Sequence, residues 1–241
     1  MTKNLLYALC MLLISAPVFA QQKFVYDANA EKRSVSGFHG IKVSTGIQLY
    51  IMQGNTEEVA VSAASSEDRS KIKTEVVNGI LKIYYEKENN WSSWNAKKKE
   101  LKAWVSFKNI DMLNGSSGSE TKAEGIISAT SLSLGLSSGA ELTADISCSS
   151  IDADVSSGAD MTLSGNTETI KVEASSGADF KGYNLKANIC DADASSGADI
   201  EITANKEISA EASSGGGVHY KGSALVKSFS KSSGGSIKKE K

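Results

Sequence analysis

Two residues after the glycine of a Ser-Ser-Gly triplet, the chain places a carboxylate five times: Glu120, Glu141, Asp160, Asp179 and Asp199. Gly217 and Ser236 hold that place after the last two triplets. Stacked coils would set the carboxylates in a column at about 4.8 Å spacing, where like charges repel. Ca²⁺ would relieve that repulsion, because its all-oxygen coordination suits carboxylates and turn carbonyls. Its candidate ligands are Glu141, Asp160, Asp179 and Asp199. A solvated acidic edge that discourages lateral aggregation explains the same pattern without a metal. So do aspartates bonded to their own turn backbone. The Gly-Gly-x-Gly-x-Asp nonapeptide of calcium-binding β-rolls is missing from the chain, so the structural readings are preferred and no cofactor is expected.

Nucleophilic catalysis has one formal match, Gly135-Leu136-Ser137-Ser138-Gly139, in the G-x-S-x-G pattern. That motif needs a strand-to-helix turn and a partner histidine, whereas this segment is one copy of a repeated corner. His39 and His219 are the only histidines, and neither has Cys or a carboxylate at metal-ligand spacing, which speaks against zinc. Cleavage of acidic polysaccharides would draw on clustered Asp, Arg and Lys, yet Arg33 and Arg69 both precede the repeats. No catalytic residue is assigned, and a non-enzymatic protein is expected. The best contact candidates are aromatic: Trp91 and Trp94 in a polar loop that also holds Lys97, Lys98 and Lys99, with Tyr84 and Tyr85 just before it. Flat rings stack on sugars, and polar loops expose them. The alternative is that the tryptophans fold down over an open end or side of the molecule.

The elements behind these residues come from one repeat. Ser-Ser-Gly ends at Gly118, Gly139, Gly158, Gly177, Gly197, Gly215 and Gly234, at spacings of 18 to 21 residues. Self-similarity at such a period marks a solenoid. Seven, five and three places before the glycine stand Ile151, Ala153 and Val155, or Ile170, Val172 and Ala174, with equivalent apolar triples in neighbouring units. Charged residues such as Asp152, Asp154, Lys171 and Glu173 alternate with them. Period-two alternation predicts strands with one buried face. Three places after the glycine the chain is apolar again at Leu142, Met161, Phe180, Ile200, Val218 and Ile237, so a second strand follows each corner. The glycine suits a corner that needs φ > 0. A unit of about 19 residues cannot bury its face alone, so the coils must stack. The expected fold is all-β, a β-solenoid close to a parallel β-helix, with a less regular β-rich N-terminal half. Of each serine pair, the first is expected to face out and the second in, forming a hydroxyl ladder. Cys190 takes a core position, and Cys148 lies about two coils away, too far for a disulfide.

The front half reads as strands at Ile41 and Val43, at Ile47, Leu49 and Ile51, and at Val59 and Val61, with Ser44-Thr45-Gly46 as an early, degenerate corner. The order "RSVSGFHGIKVSTGIQLYIMQGNTEEVAVSA", "IKTEVVNGILKIYYEKEN", "LKAWVSFKNIDMLNGSSGSE" and then the Ser-Ser-Gly-Ala-Asp coils resembles the auto-transporter adhesin head GIN domain family, common in exported proteins of Bacteroidetes. The resemblance covers essentially the whole mature chain. It implies an exported β-solenoid domain of adhesin type and supplies no catalytic residues. The Trp91–Trp94 loop with its lysines looks like an insertion, and the last two units depart from the pattern by losing the acidic residue after the turn.

Lys3, the apolar run Leu5–Ile14 and Ala16-Pro17-Val18-Phe19-Ala20 read as a secretory signal peptide cut after Ala20. Cys10 is poorly placed for lipidation, and no stretch reaches the roughly 20 apolar residues of a spanning helix. The expected organisation is a signal peptide at 1–20, a β-rich part at 21–112 and the repeat solenoid at 113–241, continuous with it. Export through Sec leaves the periplasm, the outer surface and secretion open. With a net charge of −2 and no basic face evident, nucleic acid is not an expected partner. The leading functional expectation is a recognition domain binding a glycan, matrix or envelope protein. The runner-up is a scaffold that self-associates end to end, as bactofilin-like solenoids do.

Overall fold

The computed structural model describes residues 26–86 and 96–241. The signal-peptide reading at 1–20 and the candidates Trp91 and Trp94 lie outside the described residues. The front half contains β1 (Glu31–Arg33), β2 (Gly40–Val43), β3 (Gln48–Gln53), β4 (Glu58–Ser62), helix α1 (Ser66–Ser70), β5 (Ile72–Val77), β6 (Ile80–Tyr85), helix α2 (Ala96–Lys99), β7 (Lys102–Phe107) and β8 (Met112–Gly115). The repeats contain β9 (Glu120–Leu136), β10 (Glu141–Val155), β11 (Asp160–Ala174), β12 (Asp179–Ala194), β13 (Asp199–Ala212), β14 (Gly217–Lys221), β15 (Leu225–Lys231) and β16 (Ser236–Lys239).

From β9 to β13 every strand pairs in parallel with the one a coil before and a coil after, giving a β-solenoid of about seven turns at a repeat of about 19 residues. The alternation read in the sequence is the inner wall. Ile151, Ala153, Val155, Ile170, Val172, Ala174, Cys190, Ala192 and Ala194 are all buried, and Leu142, Met161, Phe180, Ile200 and Val218 stack in register across the cavity. The two legs expected of each coil run on as one long strand that bends between them. At one such bend Gly165 has φ +104, and a Cβ there would sit 2.1 Å from the Ile146 carbonyl oxygen. Cys190 is 1% exposed, and burial pushes its thiol up to about 12. Cys148 is half-buried, and both cysteines are free.

The front half stacks out of chain order. β2 lies between β6 and β8, and β3 lies between β7 and β9, all in parallel. The segment from β2 to β3 is therefore a coil slotted between the one made by β6 and β7 and the one opened by β8. Antiparallel pairing of β5 on β6, β4 on β7 and β1 on β4 closes this end. One core runs through both halves, from Phe38 to Ala224.

The corners correct one expectation. The second serine of each pair does not point inward: Ser117, Ser138, Ser157, Ser176, Ser196, Ser214 and Ser233 are exposed at the tip, with φ between 46 and 56°. The following glycine also has positive φ, and the residue after it donates its N–H to the first serine's carbonyl, as from Ala159 to Ser156 at 3.2 Å. Two consecutive left-handed residues make a type I′ turn, which breaks the period-two count just where it had been extended to the second serine. The buried corner residue is instead the one after the glycine: Ser119, Ala140, Ala159, Ala178 and Ala198.

Candidate functional site

A surface built this way is rigid because its corners are bonded coil to coil. Each corner glycine donates its N–H to the second serine of the next coil, for example Gly139 to Ser157 at 3.1 Å and Gly177 to Ser196 at 3.1 Å. Ser44-Thr45-Gly46 joins the same ladder: Thr45 has φ 60, and Gly46 donates to the Ser117 carbonyl at 3.1 Å. The degenerate corner is thus a true corner, and eight corners form one exposed ridge.

The aromatic loop is rooted at the front end of that ridge. Ser44 N–H bonds to the Ile83 carbonyl at 3.1 Å, Tyr85 N–H to Thr45 Oγ1 at 2.7 Å, and Gln48 N–H to the Leu101 carbonyl at 2.9 Å. The connection from β6 to β7 therefore leaves and returns where the other coils carry a three-residue corner. Its base is held by Asp68. The carboxylate accepts from Lys99 Nζ at 2.5 Å, Tyr85 hydroxyl at 2.7 Å and Ser65 hydroxyl at 2.9 Å. Partial desolvation pulls the Asp68 carboxyl up, but the three hydrogen bonds outweigh it and hold the group below its ordinary value. Tyr85 is buried, desolvation followed by the Asp68 contact raises its phenol, and Lys99 Nζ lies over its ring at 5.3 Å. Tyr84 is half-buried on the outer side of β6, its phenol raised by desolvation first and by Glu75 second. A further aromatic group escaped the sequence reading. Trp104 is buried on the outer side of β7, stacked on Tyr50 at 5.9 Å and edge-on to Tyr26 at 5.7 Å. The signal was available, since Tyr50 and Trp104 occupy polar-face positions in otherwise alternating strands.

The carboxylate column exists as read. Glu120, Glu141, Asp160, Asp179 and Asp199 are consecutive register partners. Lys181 bridges two members, 2.5 Å from Asp160 and 3.9 Å from Asp179, and Gln48 donates to Glu120 at 3.1 Å. Among the described residues, no three His, Cys, Asp or Glu side chains are grouped so as to hold a metal. A second column, Asp154, Glu173, Asp193 and Glu211, runs down the opposite leg. Beside it, a groove of about 590 Å³ opens over Gly135, with Lys42, Asn114, Asp152, Asp154 and Lys171 on its walls. A Cβ at Gly135 would meet Asn114 Oδ1 at 2.7 Å, so the missing side chain shapes the floor.

The two histidines face different carboxylates: His39 pairs with Asp111 at 2.8 Å and His219 with Glu240 at 3.0 Å. Ser137 of the G-x-S-x-G match opens a type I′ corner, not a strand-to-helix elbow, and bonds through its N–H to the Gly115 carbonyl at 3.1 Å.

The fold is shared with solved proteins of low sequence identity. The structure described as a "putative adhesin" from Bacteroides fragilis superposes with a TM-score of 0.76 at 19% identity, covering 88% of this chain and 96% of that one. A "putative adhesin" from Parabacteroides distasonis gives 0.67 at 15% identity, covering 88% and 96%. A "putative lipid binding protein" from the same species gives 0.63 at 16% identity, covering 89% and 98%. No curated protein matches the chain. Among the described residues, no helix is long and apolar enough to cross a membrane. Most of the ordered front-half motifs and every stacked corner but the last fall within residues 37–224, which match the family model described as "Putative auto-transporter adhesin, head GIN domain", and the chain belongs to that family.

Proposed function

We propose that the chain is an exported, non-enzymatic recognition module of the cell envelope that binds a glycan or protein through its solenoid surface. The observation that carries this reading is the rooting of the 86–101 connection on the corner ridge. Hydrogen bonds at both ends of the connection fix where it meets the stacked scaffold, so its place along the ridge is set before a ligand arrives. Trp91 and Trp94 are its contact residues, with Tyr84 at the end of β6 as a further candidate, and the acidic columns set the charge of the flanks. Membership of an adhesin family supports recognition as the activity. The neighbour described as lipid binding adds lipids to the ligand classes worth screening.

The test has two steps. Protease added to intact cells, with a periplasmic protein as the leakage control, is expected to cleave the protein; protection until the outer membrane is opened would move its ligands to the periplasm. The folded protein is then screened on immobilised glycans and matrix proteins beside the Trp91→Ala/Trp94→Ala variant. Loss of binding of about tenfold or more in a folded variant is expected, since an aromatic ring stacked on a ligand contributes on the order of 1 kcal/mol. Unchanged binding would remove the loop from the site.

A further inference from the structure

We infer that the last coil of the solenoid docks on an anionic lipid bilayer surface. This coil, built from β15 and β16, lies beyond the segment that the family match covers. Val226 and Phe229 stand in register with the buried Ile208 and Ala210, and Leu225 with Glu207 on the outer face, yet all three are exposed here. Leu225 is 71% exposed, Val226 50% and Phe229 38%, and among the described residues β15 and β16 each pair on one side alone, with β13 and β14. Around them, residues 221–241 carry six lysines against the single carboxylate of Glu240, which is paired to His219 at 3.0 Å.

A second copy stacked on this end is the obvious occupant, and two lysines work against it. Lys231 is in register with Ala212, and Lys239 with Tyr220, both buried members of inner columns. Another coil laid on top would bury both ammonium groups where the inner columns offer no carboxylate, a costly placement. Inward charges on an open strand edge are a known defence against edge-to-edge pairing. A bilayer surface makes no such demand. It takes Leu225, Val226 and Phe229 to the depth of the headgroup boundary, while lysine stems reach back to phosphates and the strand edges stay among water and headgroups.

The rest of the molecule sets the direction of approach. Residues 141–211 carry fourteen carboxylates and four lysines, so the side walls repel an anionic surface. The nearest of these acids include Glu207, which pairs with Lys227 at 3.2 Å. Lys231, Lys238 and Lys239 form no ion pair among the described residues. End-on contact through the last coil is the approach in which apolar groups and unpaired lysines meet the surface together. The rod then stands with the ridge's aromatic end pointing away. This inference does not depend on the ligand proposed above, which engages the opposite end.

The test is co-sedimentation of the folded protein with vesicles of phosphatidylcholine alone or mixed with phosphatidylglycerol, across a salt series. Binding to the mixed vesicles alone is expected, falling as salt rises. Lys231→Glu/Lys238→Glu/Lys239→Glu should weaken it roughly a hundredfold, and Leu225→Ser/Phe229→Ser roughly tenfold. Cooperative unfolding of each variant checks that the scaffold persists. If the triple variant fails that check, Lys238→Glu/Lys241→Glu, on exposed positions, replaces it. Four results would overturn the inference: no binding by the unaltered protein at low salt, binding insensitive to salt, binding retained by the lysine variants, or capture by heparin without capture by vesicles. Concentration-dependent assembly lost in the Leu225/Phe229 variant would make this end an interface between copies instead.

Discussion

Around the front corners the interior is filled by large side chains, Ile47, Leu49, Ile51, Leu81, Leu101 and Phe107, whereas the late coils close on Ala192, Ala194, Ala198, Ala204, Ala210 and Ala212. The front half needs bulk because its strands arrive out of chain order and in both directions, so few contacts are set by simple repetition. The coils need little bulk, because each is held to two neighbours by a parallel ladder, interrupted only by local register shifts, and by a bonded corner. The two regions should therefore fail under opposite changes of volume. Phe107→Ala removes a fully buried ring among interlocking elements, and a loss of about 3–5 kcal/mol is expected. Ala192→Leu inserts bulk between Val172 and Ala210, in register with both, and about 1–3 kcal/mol is expected from overpacking. Urea unfolding of each variant checks this. If Ala192→Leu were neutral, the late coils would have to be roomier than their stacking implies.

The corners sharpen the comparison, because the same substitution should have opposite signs in the two regions. Ser176 sits at φ 56 with its side chain exposed, so Ser176→Gly relieves left-handed strain and, after the extra freedom glycine gives the unfolded chain, should gain a few tenths of a kcal/mol. Thr45 sits at φ 60 although it is β-branched, which is a stronger conflict. It is kept there by its hydroxyl, which accepts the Tyr85 N–H at 2.7 Å and so anchors the root of the aromatic loop. Thr45→Gly removes that acceptor from a part-buried donor, and a net loss of about 1 kcal/mol is expected. Thermal unfolding of the two variants side by side reads the sign. Two gains would mean that the Thr45 hydroxyl contributes nothing to the front corner.

The same contrast explains how much could be read from the residues alone. The repeats were legible because every coil answers to the same two constraints, an inner face with period two and a corner that needs positive φ. Ile170, Val172 and Ala174 could be placed on the wall from spacing alone. The second serine could not, because a type I′ turn lifts the two residues at its tip off the wall, so Ser157 is exposed although it shares the parity of Val155 and Ala159, which lie inside. In the front half, individual strands were visible but their stacking was not: nothing local in Gly40–Val43 says that it will lie between Ile80–Tyr85 and Met112–Gly115. The candidate site was legible to the same degree. Tyr85 was read as a neighbour of the loop, and its burial follows from a parity that holds through β6, while the bond to Asp68 depends on a helix placed by tertiary packing. The exposed last coil was hidden because Val226, Phe229 and Lys231 flank a register shift against β13 that no spacing rule announces.

The smallest expected effect concerns charge. Ion pairs in the front half join opposite signs across elements, as Arg69 joins Glu31 and Lys99 joins Asp68. Two columns of the coils instead stack like on like, and in one of them Asp193 stands in register between Glu173 and Glu211. Glu173 at least has Lys171 beside it at 2.5 Å. Like charges directly opposite on neighbouring strands cost a few tenths of a kcal/mol each. Asp193→Lys turns two repulsions into two attractions without touching the interior, and a gain of about 0.2–1 kcal/mol is expected. The gain should shrink as salt is raised, because all three side chains are exposed and screened. Melting temperatures of the variant and the unaltered protein at low and high salt measure both parts. If the variant is destabilised, or its gain does not depend on salt, the acidic column is held by something other than bare proximity, and a cation shared between coils becomes the reading to test by chelation.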